Sequence, residues 1–308
     1  MILSAHYSLI DIIWSVLASS FLVAFVLHKL SVLLPPSYQK SRLHLFFQDL
    51  IRYGKTKETL KRDSWLRAFD VPKRWFWHFY FVSVVWNGCL LVLTFHNQSY
   101  PKWLSSLCSV LGSTSNANAH SLSTLLVQFL IWIHSLRRLL ECLVVSVFSH
   151  GSMHMAQYLF GVGYYVILGL TVLSSDQQTK GDDPIRSLLH WYHVIGIVLF
   201  VVSSWLQHQC MVLLAGLRTG KSGLVETLAH KAPHGGLFEW VSCPHYLAEL
   251  LIYTSFSIIY GGQSLTCWLV VLYVFFNQAL AAQLCHELYI TKYKYYPRNR
   301  RAFIPFLL

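Results

Sequence analysis

The chain carries its reactive side chains in four places. His134, Arg137, Arg138 and Glu141 recur at i, i+3, i+4 and i+7 within an apolar run, so they share one face of a helix. A charge at mid-membrane costs about 2.5–3.5 kcal/mol on insertion scales, so this face must look into a protein-lined cavity and find partners there. It reads either as an anion site or as an Arg–Glu pair locking two helices, with arginines snorkelling to the interface. Gln48 and Asp49 follow Phe46 and Phe47 at the edge of a second apolar run. A carboxyl group beside two phenyl rings loses hydration and favours its protonated form, which can donate a proton. The competing reading is a loop salt bridge to Arg52 or Lys55.

The third place is 230–242, HKAPHGGLFEWVS. Its paired Gly235 and Gly236 let backbone approach a ligand, and Lys231, the histidines and Trp240 offer charge, hydrogen bonds and a stacking face. The fourth is the end, His286 to Leu308, HELYITKYKYYPRNRRAFIPFLL, which is polar, aromatic and arginine-bearing, and closed by an apolar plug. Histidines at 150, 154, 190, 193 and 208 stand at spacings found in metal sites, but no HExxH or CxxC accompanies them, so interior hydrogen bonding and no metal are expected. Gly161-x-Gly163 lacks the third glycine and a preceding strand, which excludes a dinucleotide fingerprint.

What must position these groups is a membrane bundle. Of 308 residues, 55% are hydrophobic and 12% charged, and the mean hydropathy is +0.46, outside the range of a soluble globular domain. Between Glu249 and Glu287 no Asp, Glu, Lys or Arg occurs, which leaves room for two spans of about 20 residues, with Gly261-Gly262 as the turn. The same window places further spans at 9–34, 75–95, 121–148, 155–174 and 187–214, before the pair at 246–261 and 264–286. The expected fold class is therefore all-α: a polytopic bundle of seven transmembrane helices, one domain over 1–308, with a cytosolic C-terminal tail. Backbone groups in hydrocarbon must pair within their own segment, and nothing here alternates as a barrel strand would.

Charge sets the orientation. With the N-terminus lumenal, the cytosolic side takes ten Lys/Arg in 35–74, three in 215–245 and five in the tail, against Lys102, Lys180 and Arg186 outside. The net charge of +11 is thus a topology signal that also attracts anionic membrane lipid; nucleic-acid binding is unsupported. Seven cysteines stand singly and are expected as reduced packing residues. Asn97-Gln98-Ser99 is a glycosylation sequon placed awkwardly at the end of a span, and Ser105 to Ser123 reads as a short lumenal loop.

With these residues in view, the chain resembles the steroid 5-alpha-reductase family, and within it the polyprenol reductase branch. The resemblance rests on FQDLIRYGKTK at 47–57, AFDVPKRWFWHFY at 68–80, HSLRRLLECLVVSVFS at 134–149, GGLFEWVSCPHYLAEL at 235–250, FFNQAL at 275–280 and YPRNRRAFIPFLL at 296–308. It implies an endoplasmic-reticulum membrane enzyme that takes NADPH from the cytosol. That enzyme saturates the alpha-isoprene double bond of a long-chain polyprenyl lipid, giving the dolichol used in protein N-glycosylation, with a side activity on 3-oxo-delta-4 steroids. It also implies that cofactor phosphates and ribose meet Arg138, Gln207, Arg218, Lys231, His245, His286, Tyr289 and Arg300. The loop from Gly235 to Glu249 would lie beside the nicotinamide half. The residues agree independently, since a 2′-phosphate with a pyrophosphate needs several cationic donors, and arginine supplies bidentate ones.

The resemblance implies the acid less directly. Steroid members carry a Gln–Glu pair where this chain has Gln48-Asp49, and a tyrosine donor where it has Ser135, whose hydroxyl is a far poorer acid than a phenol. Asp49, kept protonated, is the expected donor, followed by a neighbouring tyrosine or a water. His245 stands where the family has an asparagine. An isolated allylic alcohol is not electrophilic enough for hydride, so the aldehyde, polyprenal, is the expected acceptor. Its long chain requires a site open laterally to the bilayer. Two other readings are an isoprenylcysteine-type membrane methyltransferase, whose S-adenosylmethionine lacks phosphates and needs fewer cations, and a seven-helix receptor or transporter, the latter usually repeat-symmetric.

Overall fold

The computed structural model describes residues 7–95, 101–112, 122–174, 189–220 and 222–307. Ser8 opens helix α1, Leu9–Val32, with a reciprocal cap: the Asp11 N–H donates to Ser8 Oγ at 3.3 Å and the Ser8 N–H to Asp11 Oδ2 at 3.1 Å. Short pieces follow, α2 Pro36–Gln39, α3 Arg42–Ile51, α4 Lys55–Glu58, α5 Ser64–Arg67 and strand β1 Asp70–Pro72, then a 3₁₀ turn, Lys73–Phe76, that runs into α6, Trp77–Phe95. Beyond them come α7 Lys102–Leu111, α8 Leu122–Leu140 with a π-helical turn at Glu141–Val145, β2 Ser152–His154, α9 Met155–Ser174 and α10 Trp191–Gly216. The chain then makes a 3₁₀ turn, Gly236–Glu239, and continues as α11 Pro244–Ile259 and α12 Leu265–Lys292.

Among the described residues five helical stretches are long and apolar enough to cross a membrane: Leu9–Val32, Lys73–Phe95, Met155–Ser174, Trp191–Gly216 and Leu265–Lys292. The chain is a multi-pass membrane protein. The other two expected spans are helices of a different character, since α8 carries Arg137 and Arg138 in its last turn and α11 has only 16 residues. The turn between α11 and α12 falls at Gly261-Gly262, whose φ angles of 65° and 72° suit residues without a Cβ.

Among the described residues the structure departs from the expected elements at a strand pair and at a helix in place of a loop. Asp70–Pro72 and Ser152–His154 pair as a two-stranded antiparallel ribbon, with Val71 opposite Met153. Two loops at the same end of the bundle satisfy their backbone groups against each other this way, a tertiary event with no local periodicity. The stretch expected as a loop at 105–123 begins instead with α7, whose Leu104, Cys108 and Leu111 are buried at helical spacing. Gly112 closes α7 at φ 104°, where an added Cβ would lie 2.4 Å from the Cβ of Ser8. The expected sequon, Lys180 and Arg186 lie outside the described residues.

The bundle packs α1 along α12, α10 along α11, and α6 against α8 and α9. Its centre is aromatic: Trp14, Tyr164 and Tyr273 sit ring on ring at 5.3–5.9 Å, and Trp14 Nε1 donates to Thr171 Oγ1 at 2.9 Å. Polar side chains pin α6 to α8, with Ser83 and Ser135 hydroxyls 2.6 Å apart and Gln128 donating to the Asn87 carbonyl at 3.3 Å. All seven cysteines are free thiols, and all but Cys89 are buried.

Candidate active site

The termini of the long helices that lie at one end of the bundle carry the charge. Arg138 stands in the last turn of α8, Arg218 just past α10, His245 in the first turn of α11, Tyr289 in the last turn of α12 and Lys73 at the start of the α6 stretch. Alternating helix direction brings all five together. They line a cavity of about 220 Å³ with Lys55, Lys231 and His230, and no carboxylate is among its lining residues. Lys55 Nζ donates to Tyr289 Oη at 2.5 Å, and Lys73 Nζ lies 5.3 Å from the centre of the Tyr53 ring. Arg218 donates to the Val147 carbonyl and reaches His230 Nδ1 at 2.6 Å. Burial, reinforced by Arg218, Lys55 and Lys73, lowers the His230 pKa to about 3.

Five cations line this cavity, and among the described residues Lys55, Lys73, Arg218 and Lys231 have no carboxylate within ion-pair distance, an unfinished electrostatic arrangement for partly buried charges. Arg138 is the exception: it donates to Glu141 and, at 3.3 Å, to Tyr80 Oη. The remaining donors suit a ligand with several phosphates. A second cavity of about 580 Å³, mostly apolar, adjoins the first and runs between α1, α3, α6, α9, α11 and α12. Tyr53, Phe76, Arg138, Met211, His245 and Tyr246 belong to both walls. Gln207 and Glu249 line the second cavity, where Gln207 Nε2 donates to Glu249 and Glu249 Oε1 lies 3.3 Å from His134 Nε2.

Of the residues expected at the cofactor, Arg138, Arg218, Lys231, His245 and Tyr289 line the cationic cavity, and Gln207 and Glu249 the apolar one. Gly235, His286 and Arg300 line neither. Arg300 is buried and donates to the Pro233 carbonyl and to Glu239, each at 2.8 Å, while its guanidinium covers the Tyr296 ring. It staples the 233–239 loop to the tail. Gly235 serves that staple: at φ 88° its N–H donates to Glu239 Oε1 at 2.6 Å, the main reason the Glu239 pKa is lowered. His286 Nδ1 meets Ser242 Oγ at 2.7 Å. The tail folds back beside 240–243, where the Ser242 N–H donates to the Arg301 carbonyl at 2.8 Å; of its apolar end Ala302 and Phe303 are buried, whereas Phe306 and Leu307 are exposed.

The residues expected to act as acid lie away from both cavities. Asp49 is fully buried, but its oxygens face Lys57 Nζ at 3.1 Å and Arg62 Nη1 at 3.0 Å rather than either cavity. Both cations also bind Asp70, at 2.9 and 2.8 Å. Burial opposes the charge on Asp70, yet hydrogen bonds from Lys57, Arg62 and Ser152 outweigh it and lower its pKa. The four residues form a closed ionic cluster that ties the 35–72 segment to the ribbon. Gln48 is likewise engaged, with His28 Nδ1 and Ser31 Oγ each at 3.4 Å, and Ser135 spends its hydroxyl on Ser83 and on the Ile131 carbonyl at 2.8 Å. Among the described residues no group of three or more His, Cys, Asp or Glu is placed to hold a metal ion.

Lys55 and Lys73 were not singled out as ligands by sequence reasoning, and His230 entered it only as one of the histidines of the 230–242 segment. Lys55 and Lys73 lie within the two motifs at 47–57 and 68–80, where they count as topology charges, and nothing local distinguishes them from Lys57, which is locked in the ionic cluster.

The family model described as 3-oxo-5-alpha-steroid 4-dehydrogenase matches residues 151–308. A polyprenal reductase of Danio rerio is 54% identical over 309 residues, covering 98% of each chain. One from Xenopus tropicalis is 48% identical, covering 97% of this chain and 99% of its own. One from Homo sapiens is 46% identical, covering 96% and 94%.

Proposed function

The chain belongs to the steroid 5-alpha-reductase family, in its polyprenal reductase branch, and from that premise we propose that it reduces the alpha-isoprene carbon–carbon double bond of a long-chain polyprenal with NADPH. The product, dolichal, leads to the dolichol that carries glycans for protein N-glycosylation; 3-oxo-delta-4 steroids are minor substrates. The observation that carries the reading is a carboxylate-free cationic cavity sharing a wall with a larger apolar one. The first suits a 2′-phosphate and pyrophosphate, the second an isoprenoid head.

Lys55, Lys73, Arg218 and Lys231 would hold the phosphates, and Arg138 and His245, on the shared wall, would face the junction with the second cavity. NADPH, when bound, supplies the hydride that the beta carbon of the enal accepts. The chain's own part is to desolvate the head, orient the carbonyl and deliver a proton. Phe79, Tyr164 and Tyr273 give the second cavity its apolar wall, which favours an isoprene unit over water. Gln207 and Glu249 add hydrogen-bonding groups in that wall.

In this reading α8 and α11 join the five long apolar helices as a seven-span bundle in the endoplasmic-reticulum membrane. The N-terminus is lumenal and the C-terminal tail cytosolic, so the cationic mouth faces the compartment that supplies the cofactor. A methyltransferase would need no such concentration of cations, and a receptor or transporter would need no cationic cavity beside an apolar one. The test is an assay of purified protein in detergent with NADPH and matched polyprenal, polyprenol and steroid enone. NADPH-dependent saturation of polyprenal, faster than the other two, is expected; absence of turnover, or methyl transfer from S-adenosylmethionine, would sink the proposal.

A further inference from the structure

With Asp49, Gln48 and Ser135 engaged elsewhere, the reaction lacks an assigned acid. We propose that Tyr246 donates the proton to the substrate carbonyl and that Tyr53 is the residue that positions it. This rests on the polyprenal reading above.

The first observation is place. The reacting atoms must lie where a phosphate-binding cavity and a lipid cavity adjoin, and Tyr53 and Tyr246 line both. Their hydroxyls are 2.8 Å apart, so the junction holds a phenol pair. Arg138 is also there, but a guanidinium does not release its protons in proteins. His245 is the remaining titratable ring, and as a neutral imidazole its N–H is a weaker acid than a phenol.

The second observation separates the two roles. Tyr246 sits in the first turn of α11, and Glu249 and Tyr253, three and seven residues on, continue the same helical face into the lipid cavity. Tyr53 stands on the loop side, fixed by its N–H to Thr56 Oγ1 at 3.3 Å and flanked by Lys73. Either hydroxyl of the pair can donate to the other; when Tyr53 donates to Tyr246 Oη, the Tyr246 O–H is released for the substrate, and Lys55 and Lys73 favour the negative charge left on the pair after donation.

The step balances. As hydride adds to the beta carbon, the carbonyl oxygen takes the Tyr246 proton and the substrate becomes an enol. The alpha carbon then takes a proton from solvent, and the enol O–H proton returns to the Tyr246 tyrosinate as the carbonyl re-forms. One hydride and one solvent proton are consumed in all.

The experiment uses full-length protein and compares wild type, Tyr246→Phe and Tyr53→Phe. NADPH binding by cofactor fluorescence reports the fold and the cationic cavity; single-turnover reduction of polyprenal across pH reports the acid. Tyr246→Phe is expected to bind NADPH within about twofold of wild type while the reduction rate falls about 100-fold or more. Tyr53→Phe should slow reduction about tenfold and move the alkaline limb of the rate profile to higher pH, because the Tyr246 tyrosinate loses a donor. A Tyr246→Phe protein that binds NADPH and reduces polyprenal at the wild-type rate overturns the assignment. If that variant binds no NADPH, the Tyr53→Phe profile decides, and an unmoved alkaline limb overturns it. Wild-type protein that binds NADPH without reducing polyprenal overturns instead the reading on which the assignment rests.

Discussion

Lys55→Met tests the cationic cavity more sharply than any arginine substitution. The lysine is half-buried beside Tyr289, lines the cavity, and has no carboxylate within ion-pair distance among the described residues. Methionine keeps an unbranched apolar stem and removes the charge with its hydrogen bond to Tyr289. A unit charge about 4 Å from a phosphate is worth about 4 kcal/mol at an effective dielectric of about 20. Water in the open mouth and the remaining cations reduce this to about 2–3 kcal/mol, a weakening of NADPH binding of about 30- to 150-fold. Stability should move the other way. Removing one of several crowded cations relieves repulsion worth about 1 kcal/mol after the lost Tyr289 hydrogen bond, so the cofactor-free protein should melt unchanged or up to about 2 °C higher. Cofactor fluorescence titration and thermal melting in the same detergent measure the two quantities. Wild-type affinity would show that Lys55 does not face a phosphate, and a melting temperature lowered by more than about 5 °C would show that its charge holds the fold together. Either result refutes the reasoning.

Asp49→Asn should destabilise the protein by about 3 kcal/mol, because the fully buried Lys57 is left with Asp70 as its single carboxylate partner. The folded fraction should turn over at the wild-type rate per bound cofactor, and a specific loss of turnover in stable protein would return Asp49 to the chemistry. Arg300→Ala removes two 2.8 Å hydrogen bonds and should cost about 2–3 kcal/mol in thermal melting, with NADPH affinity falling only as the 233–239 loop loosens. Unchanged melting with lost affinity would instead make Arg300 a direct ligand. For His230 the folded pKa, about 3, lies below the unfolded value of 6.5, so the unfolded chain binds its proton first as pH falls. Cofactor-free stability should therefore decline from about pH 6.5 downward and flatten in that window in His230→Asn; identical slopes for the two proteins between about pH 6.5 and 5 would contradict it.

Two kinds of information divide the protein. Composition and hydropathy were sufficient for the membrane class and for the long apolar helices, because burial in hydrocarbon is a property of a contiguous segment and needs no partner to be read. The Gly261-Gly262 turn was legible for the same local reason: two residues without Cβ between uncharged runs. Arg138, Arg218, Lys231, His245 and Tyr289 were named through the family resemblance, and packing places all five on one cavity wall. The fate of Asp49 could not be read, since an acid beside phenyl rings reads as desolvated until Lys57 and Arg62 close on it from residues 8 and 13 positions away. Arg300 and Arg138 look alike in the chain, yet one staples a loop and the other lines a cavity. Only packing chooses between them, because the energy of a charge depends on what lies within a few ångströms and not on its neighbours in sequence. The Tyr53–Tyr246 pair, 193 positions apart, is likewise a product of the fold, made by bringing the 35–72 segment against the first turn of α11.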